Sequence, residues 1–134
     1  MKNLKPKGAG LYLSRIPCGF PSPADDYLEM RLSLDEYVIK RESSTFFARS
    51  EGQSMEPLIF EGDLVTVDRS ISPRSGDVVL CILDGEFCIK RFVLTSKGGA
   101  LVSENKKFKD IYVDQHRDFS IWGVVTFVIH EFKR

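Results

Sequence analysis

Residues 78–94 read VVLCILDGEFCIKRFVL. Two runs rich in β-branched and aromatic residues flank Asp84-Gly85. A two-residue Asp-Gly loop favours a type I′ turn, whose central residues both take positive φ and whose twist matches an antiparallel strand pair. The stretch therefore reads as a hairpin, and its turn fixes the register. Leu83 faces Glu86, Ile82 faces Phe87, Cys81 faces Cys88 and Val79 faces Lys90. Side chains alternate along a strand. Cys88, Lys90 and Phe92 therefore share one face, while Phe87 and Ile89 share the other. Lys90 stands between two apolar neighbours on its own side, an odd place for a solvated ammonium. Cys81 and Cys88 read as small buried hydrophobes.

Working outward, TFFAR (45–49) is a short β run, and DLVTVD (63–68) alternates after the turn Glu61-Gly62-Asp63. SPRSGD (72–77) is a turn, SKGG (96–99) closes the hairpin unit, and IYV (111–113) and SIWGVVTFVIHEF (120–132) supply further strands. Gly123 inside the last run implies a bulge or bend. RLSLDEYVIKRE (31–42) fits a short helix with Ser33 as N-cap and Glu36 at capping-box spacing. Before it, Gly8, Gly10, Pro17, Gly19, Pro21 and Pro23 rule out a continuous helix. The expectation is a mostly-β protein. A flexible N-terminal arm (1–32) precedes one compact domain (33–134) of several antiparallel strands, about seven by count of runs.

The 134 residues suit a single core. Basic and acidic residues number 19 each, so the chain lacks the basic excess that phosphate neutralisation requires. Sequence-specific DNA binding is not expected. No apolar run approaches the ~20 residues that span a bilayer, and the N-terminus has no apolar signal core. A cytoplasmic protein without a membrane partner is expected. Three cysteines without a C-x-x-C or a Cys/His spacing suggest neither disulfides nor zinc. No metal or cofactor is expected.

EGQSMEPLIFEGDLVTVD (51–68) places Ser54 between Gly52 and a Met-x-Pro. A serine hydroxyl needs a base to take its proton. His116, in DQHRD, and His130, near the end of the last strand, both read as ordinary surface or edge residues. That leaves lysine, and Ser-Lys pairs are a known variant of the triad. A lysine serves as base only when neutral, and burial among apolar groups lowers its pKa by up to about 3–5 units. Lys90 has such surroundings. Gly52 permits a sharp turn, Met55 packs beneath the serine, and Pro57 suits the first turn of a short helix starting near Ser54. Backbone N–H groups there, those of Ser54 and Met55, would face an oxyanion.

GQSMEP, EGDLVTVD, SGDVVL and DGEFCIKRF, in that order, resemble the self-cleaving serine peptidase domain of the LexA/UmuD family. CGFPSPADDY (18–27) looks like the cleavage-site arm of its UmuD-like members. The resemblance implies a LexA/signal-peptidase-like β fold, with Ser54 as nucleophile and Lys90 as general base. It implies self-cleavage between Cys18 and Gly19, stimulated by RecA filaments on single-stranded DNA. It further implies a trimmed homodimer that joins a UmuC-like error-prone DNA polymerase in SOS mutagenesis. The arm before Cys18 matches the family only loosely.

Three other readings compete. A LexA-like repressor would need a helix-turn-helix of some 60 residues before the arm, and Met1 with the balanced charge argues against truncation. A signal peptidase would need a membrane anchor. A non-cleaving β-domain interaction subunit of a polymerase would not need both Ser54 and Lys90.

Overall fold

The computed structural model describes residues 8–12, 15–21, 23–24, 28–114 and 117–134. The expectation for His116 lies outside them. The chain divides into two compact units, Met1–Lys40 and Arg41–Arg134.

In the first unit, β1 (Ala9–Tyr12) pairs antiparallel with β2 (Leu28–Leu32). The N-terminal arm thus contributes two paired strands. Gly8 sits at φ 92°, and a Cβ there would lie 1.9 Å from the Leu32 carbonyl oxygen, so no side chain fits. Helix α1 (Leu34–Val38) follows. Ser33 holds the N-cap position with extended dihedrals, but among the described residues its side chain makes no cap hydrogen bond, so the capping box does not form. Residues Cys18 to Phe20 form an exposed bend.

The second unit opens with a 3-10 turn (Glu42–Ser44) and is otherwise a seven-stranded antiparallel sheet. Its strands are β3 (Thr45–Arg49), β4 (Leu64–Asp68), β5 (Val78–Leu83), β6 (Glu86–Thr95), β7 (Gly98–Val102), β8 (Ile111–Val113) and β9 (Phe119–Ile129). The spatial order is β3-β4-β9-β5-β6-β7-β8. The β5–β6 hairpin has the register its turn dictates, from Leu83↔Glu86 to Val79↔Lys90 and Val78↔Arg91. Asp84 (φ 50°) and Gly85 (φ 85°) both take positive φ, as a type I′ turn requires. Arg117 clamps this turn through a 2.7 Å bond to Asp84.

The sheet buries apolar residues on both faces. Val65, Val67, Leu80, Met55 and Ile59 form one cluster. Val79, Cys81, Leu101 and Val124 form the other. The hairpin follows the alternation, with Ile89 packing on the first cluster and Cys88 and Phe92 on the second. Strand β9 shifts register twice, skipping Trp122 against β5 and Thr126 against β4. Gly123 adjoins the first shift, and a Cβ there would meet Val67 Cγ1 at 2.5 Å. Close approach of two strands is what excludes a side chain at that position.

Asp68, at the end of β4, is buried. It accepts hydrogen bonds from Ser70 N (2.8 Å), Ser70 Oγ (2.7 Å) and Ser44 Oγ (3.0 Å). The Ser70 bonds, helped by Ser44 and Arg41, outweigh burial and hold its carboxyl below the ordinary value. His130, read as an ordinary edge residue, instead contacts the buried carboxylate of Asp63 through Nδ1.

Candidate active site

The connection from β3 to β4 carries Ser54. Gly52, at φ 87°, turns the chain before it. Residues 54–58 form successive turns rather than the expected short helix, and the Glu56–Pro57 peptide bond is cis. Met55 O accepts from the N–H groups of Leu58 and Ile59, both at 2.9 Å. Met55 and Ile59 are buried and anchor the loop on the sheet. From the other side Asn105 holds it twice. Its N–H donates to Ser54 O at 2.9 Å, and its Nδ2 donates to Gln53 O at 3.1 Å. Among the described residues, the N–H groups of Ser54 and Met55 donate no hydrogen bond.

Lys90, in β6, reaches this loop. Its Nζ lies 2.7 Å from Ser54 Oγ. A second hydroxyl, Ser103 Oγ, lies 3.0 Å from the same nitrogen. Ser103 follows β7, and continuing the register one step past Arg91↔Val102 puts it opposite Lys90. It is only 2% exposed. The Phe108 ring stands 5.9 Å from Nζ. Burial lowers the Lys90 pKa below the ordinary amine value, while the neighbouring thiols of Cys88 and Cys81 pull it back up.

Ser54 and Lys90 open onto a cleft of about 540 Å³. Phe46, Phe47, Phe87 and Trp122 give it an aromatic wall, with Cys88 beside the lysine. Phe46 and Phe87 each meet Trp122 edge-on, at 5.0 and 6.3 Å between centroids.

The structure thus brings Ser54, Met55 and Lys90 together. Cys18 and Gly19 lie in the first unit, in an exposed bend. Ser103 and Asn105 were not singled out from sequence. Their signal was the run GGALV, which reads as a strand once Gly98-Gly99 is not taken as a turn alone.

The second unit is thus an antiparallel β sheet with a serine and a half-buried lysine in one cleft. The family described as Peptidase S24-like matches residues 10–126, and the chain belongs to it. It is similar to Protein ImpA of Salmonella typhimurium, 43% identical over 90% of this chain and 82% of that one. Protein SamA of Salmonella typhimurium is 42% identical over 92% and 86% of the two chains. Protein MucA of Escherichia coli is 42% identical over 86% and 80%. These relatives set the chain among the UmuD-like serine peptidase homologues of SOS mutagenesis. Among the described residues no helix is long and apolar enough to cross a membrane.

Proposed function

We propose that the chain is a self-cleaving peptidase that cuts its own Cys18–Gly19 bond with a Ser54–Lys90 dyad. The observation that carries this is the 2.7 Å approach of Lys90 Nζ to Ser54 Oγ. Neutral Lys90 takes the Ser54 proton. Ser54 Oγ attacks the Cys18 carbonyl carbon, and the N–H groups of Ser54 and Met55 hold the resulting oxyanion. Lys90 returns the proton to the Gly19 nitrogen, which leaves as an amine. Water, deprotonated by the same lysine, then frees the acyl group, giving residues 1–18 and 19–134.

Family membership supports the wider role. A RecA filament on single-stranded DNA stimulates cleavage. The trimmed protein works in the cytoplasm as a homodimer, the accessory subunit of a UmuC-like translesion polymerase. It serves that role without touching DNA sequence-specifically, in keeping with a full chain whose 19 basic and 19 acidic residues balance.

The test is to incubate the protein from about pH 7 to about pH 10 and weigh the products, with Ser54→Ala and Lys90→Ala alongside. Parallel samples carry RecA, single-stranded DNA and a nucleotide. Cleavage at Cys18–Gly19 that quickens with pH and vanishes in both variants is expected. A wild type that stays whole throughout overturns the dyad and leaves a non-cleaving interaction module.

A further inference from the structure

Beside the serine and lysine lies a second reactive pair that the cleavage chemistry does not use. Cys81 and Cys88 face each other across β5 and β6, with Sγ atoms 3.3 Å apart. Both are free thiols. Directly opposed residues of an antiparallel pair have Cα atoms about 4.5 or 5.5 Å apart. Either spacing lies in the range of about 4.4–6.8 Å that a disulfide takes. The two thiols differ in access. Cys81 is fully buried, whereas Cys88 is half-buried and lines the cleft.

The electrostatics separate them further. The two sulfurs lie within hydrogen-bond distance and either can donate. Hydrogen bonding from Cys81 pulls the Cys88 pKa below the ordinary thiol value, and the Lys90 charge adds to the effect. The same bond and burial push Cys81 up. An accessible sulfur with thiolate character attacks first, and a buried neighbour with its proton resolves.

We propose that Cys81 and Cys88 form a redox-active dithiol in the cleft: Cys88 takes a low-molecular-weight disulfide as its covalent partner, and Cys81 resolves the adduct into a cross-strand disulfide. The Cys88 thiolate attacks one sulfur of the small disulfide, forming a mixed disulfide and releasing one thiolate. Cys81 then gives up its proton and attacks the Cys88 sulfur, expelling the second thiolate. Two thiols of the protein are oxidised and one small disulfide is reduced to two thiols. A dithiol reductant reverses the sequence.

The consequence reaches Lys90, which stands two residues on from Cys88 on the same face. Ser54, Ser103, the Phe108 ring and the two thiols surround its nitrogen. Arg91 and Glu104 beside it pair with each other, and Arg49 and Glu51 line the same cleft. Oxidation removes the negative charge that favours the ammonium, so the Lys90 pKa falls and neutral lysine appears at lower pH.

The test treats the full chain with glutathione disulfide and maps the thiols by mass spectrometry. In wild type the Cys81–Cys88 segment should lose two hydrogens and keep no glutathione. In Cys81→Ser the reaction should stop with glutathione on Cys88. Wild-type thiols that stay reduced, or a Cys88 adduct that never resolves, overturn the proposal, even should the variant fold poorly. The link to Lys90 rests on the dyad reading. There the alkaline rise of self-cleavage should move down by about one pH unit on oxidation and return on reduction. A disulfide that leaves the profile in place overturns the link. Absence of cleavage in both redox states overturns the dyad instead, while the thiol map still decides the disulfide.

Discussion

Ser103→Ala separates two jobs that one hydroxyl performs on the same nitrogen. Ser103 Oγ lies 3.0 Å from Lys90 Nζ, opposite the 2.7 Å approach to Ser54. As an acceptor from the ammonium it favours the charged form. A hydrogen bond to a charged group contributes about 1.5–3 kcal/mol, and one between neutral groups about 0.5–1.5. The difference, about 1 kcal/mol, corresponds to about 0.7 of a pKa unit. Removing the hydroxyl therefore lowers the Lys90 pKa by that amount and raises the neutral fraction at pH 7 about fivefold. The second job is aim. With neutral lysine, an N–H held by Ser103 turns the nitrogen lone pair toward Ser54. Losing that restraint should cost about tenfold in the limiting rate, equivalent to about 1.4 kcal/mol. The assay is the first-order self-cleavage rate against pH, with a thermal melt as control for folding. The midpoint should move to lower pH by about 0.7 while the plateau falls about tenfold. At low pH the two effects largely offset, so the variant looks only about twofold impaired there. A midpoint that moves to higher pH, or an unchanged plateau, refutes the reasoning.

Other perturbations read the scaffold. Lys90→Arg keeps the charge but cannot supply a neutral base, so cleavage should be absent at every pH while the melt stays near wild type. Leu101→Ala removes a fully buried side chain and should lower stability by about 2–5 kcal/mol, read by urea unfolding. Gly123→Ala drives a methyl into Val67 Cγ1 and should cost about 1–3 kcal/mol in the same assay. The Asp68 carboxyl titrates below its unfolded value of 3.8. Its contribution is therefore fully present above about pH 4 and lost as pH falls through the folded pKa. Asp68→Asn should flatten that part of an acid-unfolding curve, and an unchanged curve would remove Asp68 from the account.

The hairpin was legible to the residue because Asp84-Gly85 can take positive φ and so leaves one register. Lys90 stood out because alternation set it between apolar neighbours, and Ser54 because a glycine turn and Met-x-Pro frame it. What was not legible depends on contacts distant in sequence. GGALV looks like the end of a turn until β6 offers it a partner, so Ser103 and its contact with Lys90 were missed. Residues 54–58 were read as a helix start from Pro57 alone. The loop's shape follows instead from burying Met55 and Ile59 and from the grip of Asn105. Asp68 is buried at no visible cost in sequence, because Ser44 and Ser70 reach it only once β4 is in place. The prolines between β1 and β2 exclude a continuous helix, but they do not reveal that the two extended segments pair with each other.

Strand β9 lies between β4 and β5, yet it comes after every other strand in the chain. It divides the sheet into a block carrying Ser54 and a block carrying Lys90 and Ser103. Each block can form its own hairpins, but among the described residues no strand ladder joins the two except through β9. The other links are contacts of the Ser54 loop with Lys90 and Asn105. A growing polypeptide thus carries Ser54 and Lys90 on two pieces that no shared ladder yet aligns. Residues 119–129 supply that ladder, so the final register of one piece against the other is set only when the sheet is nearly whole.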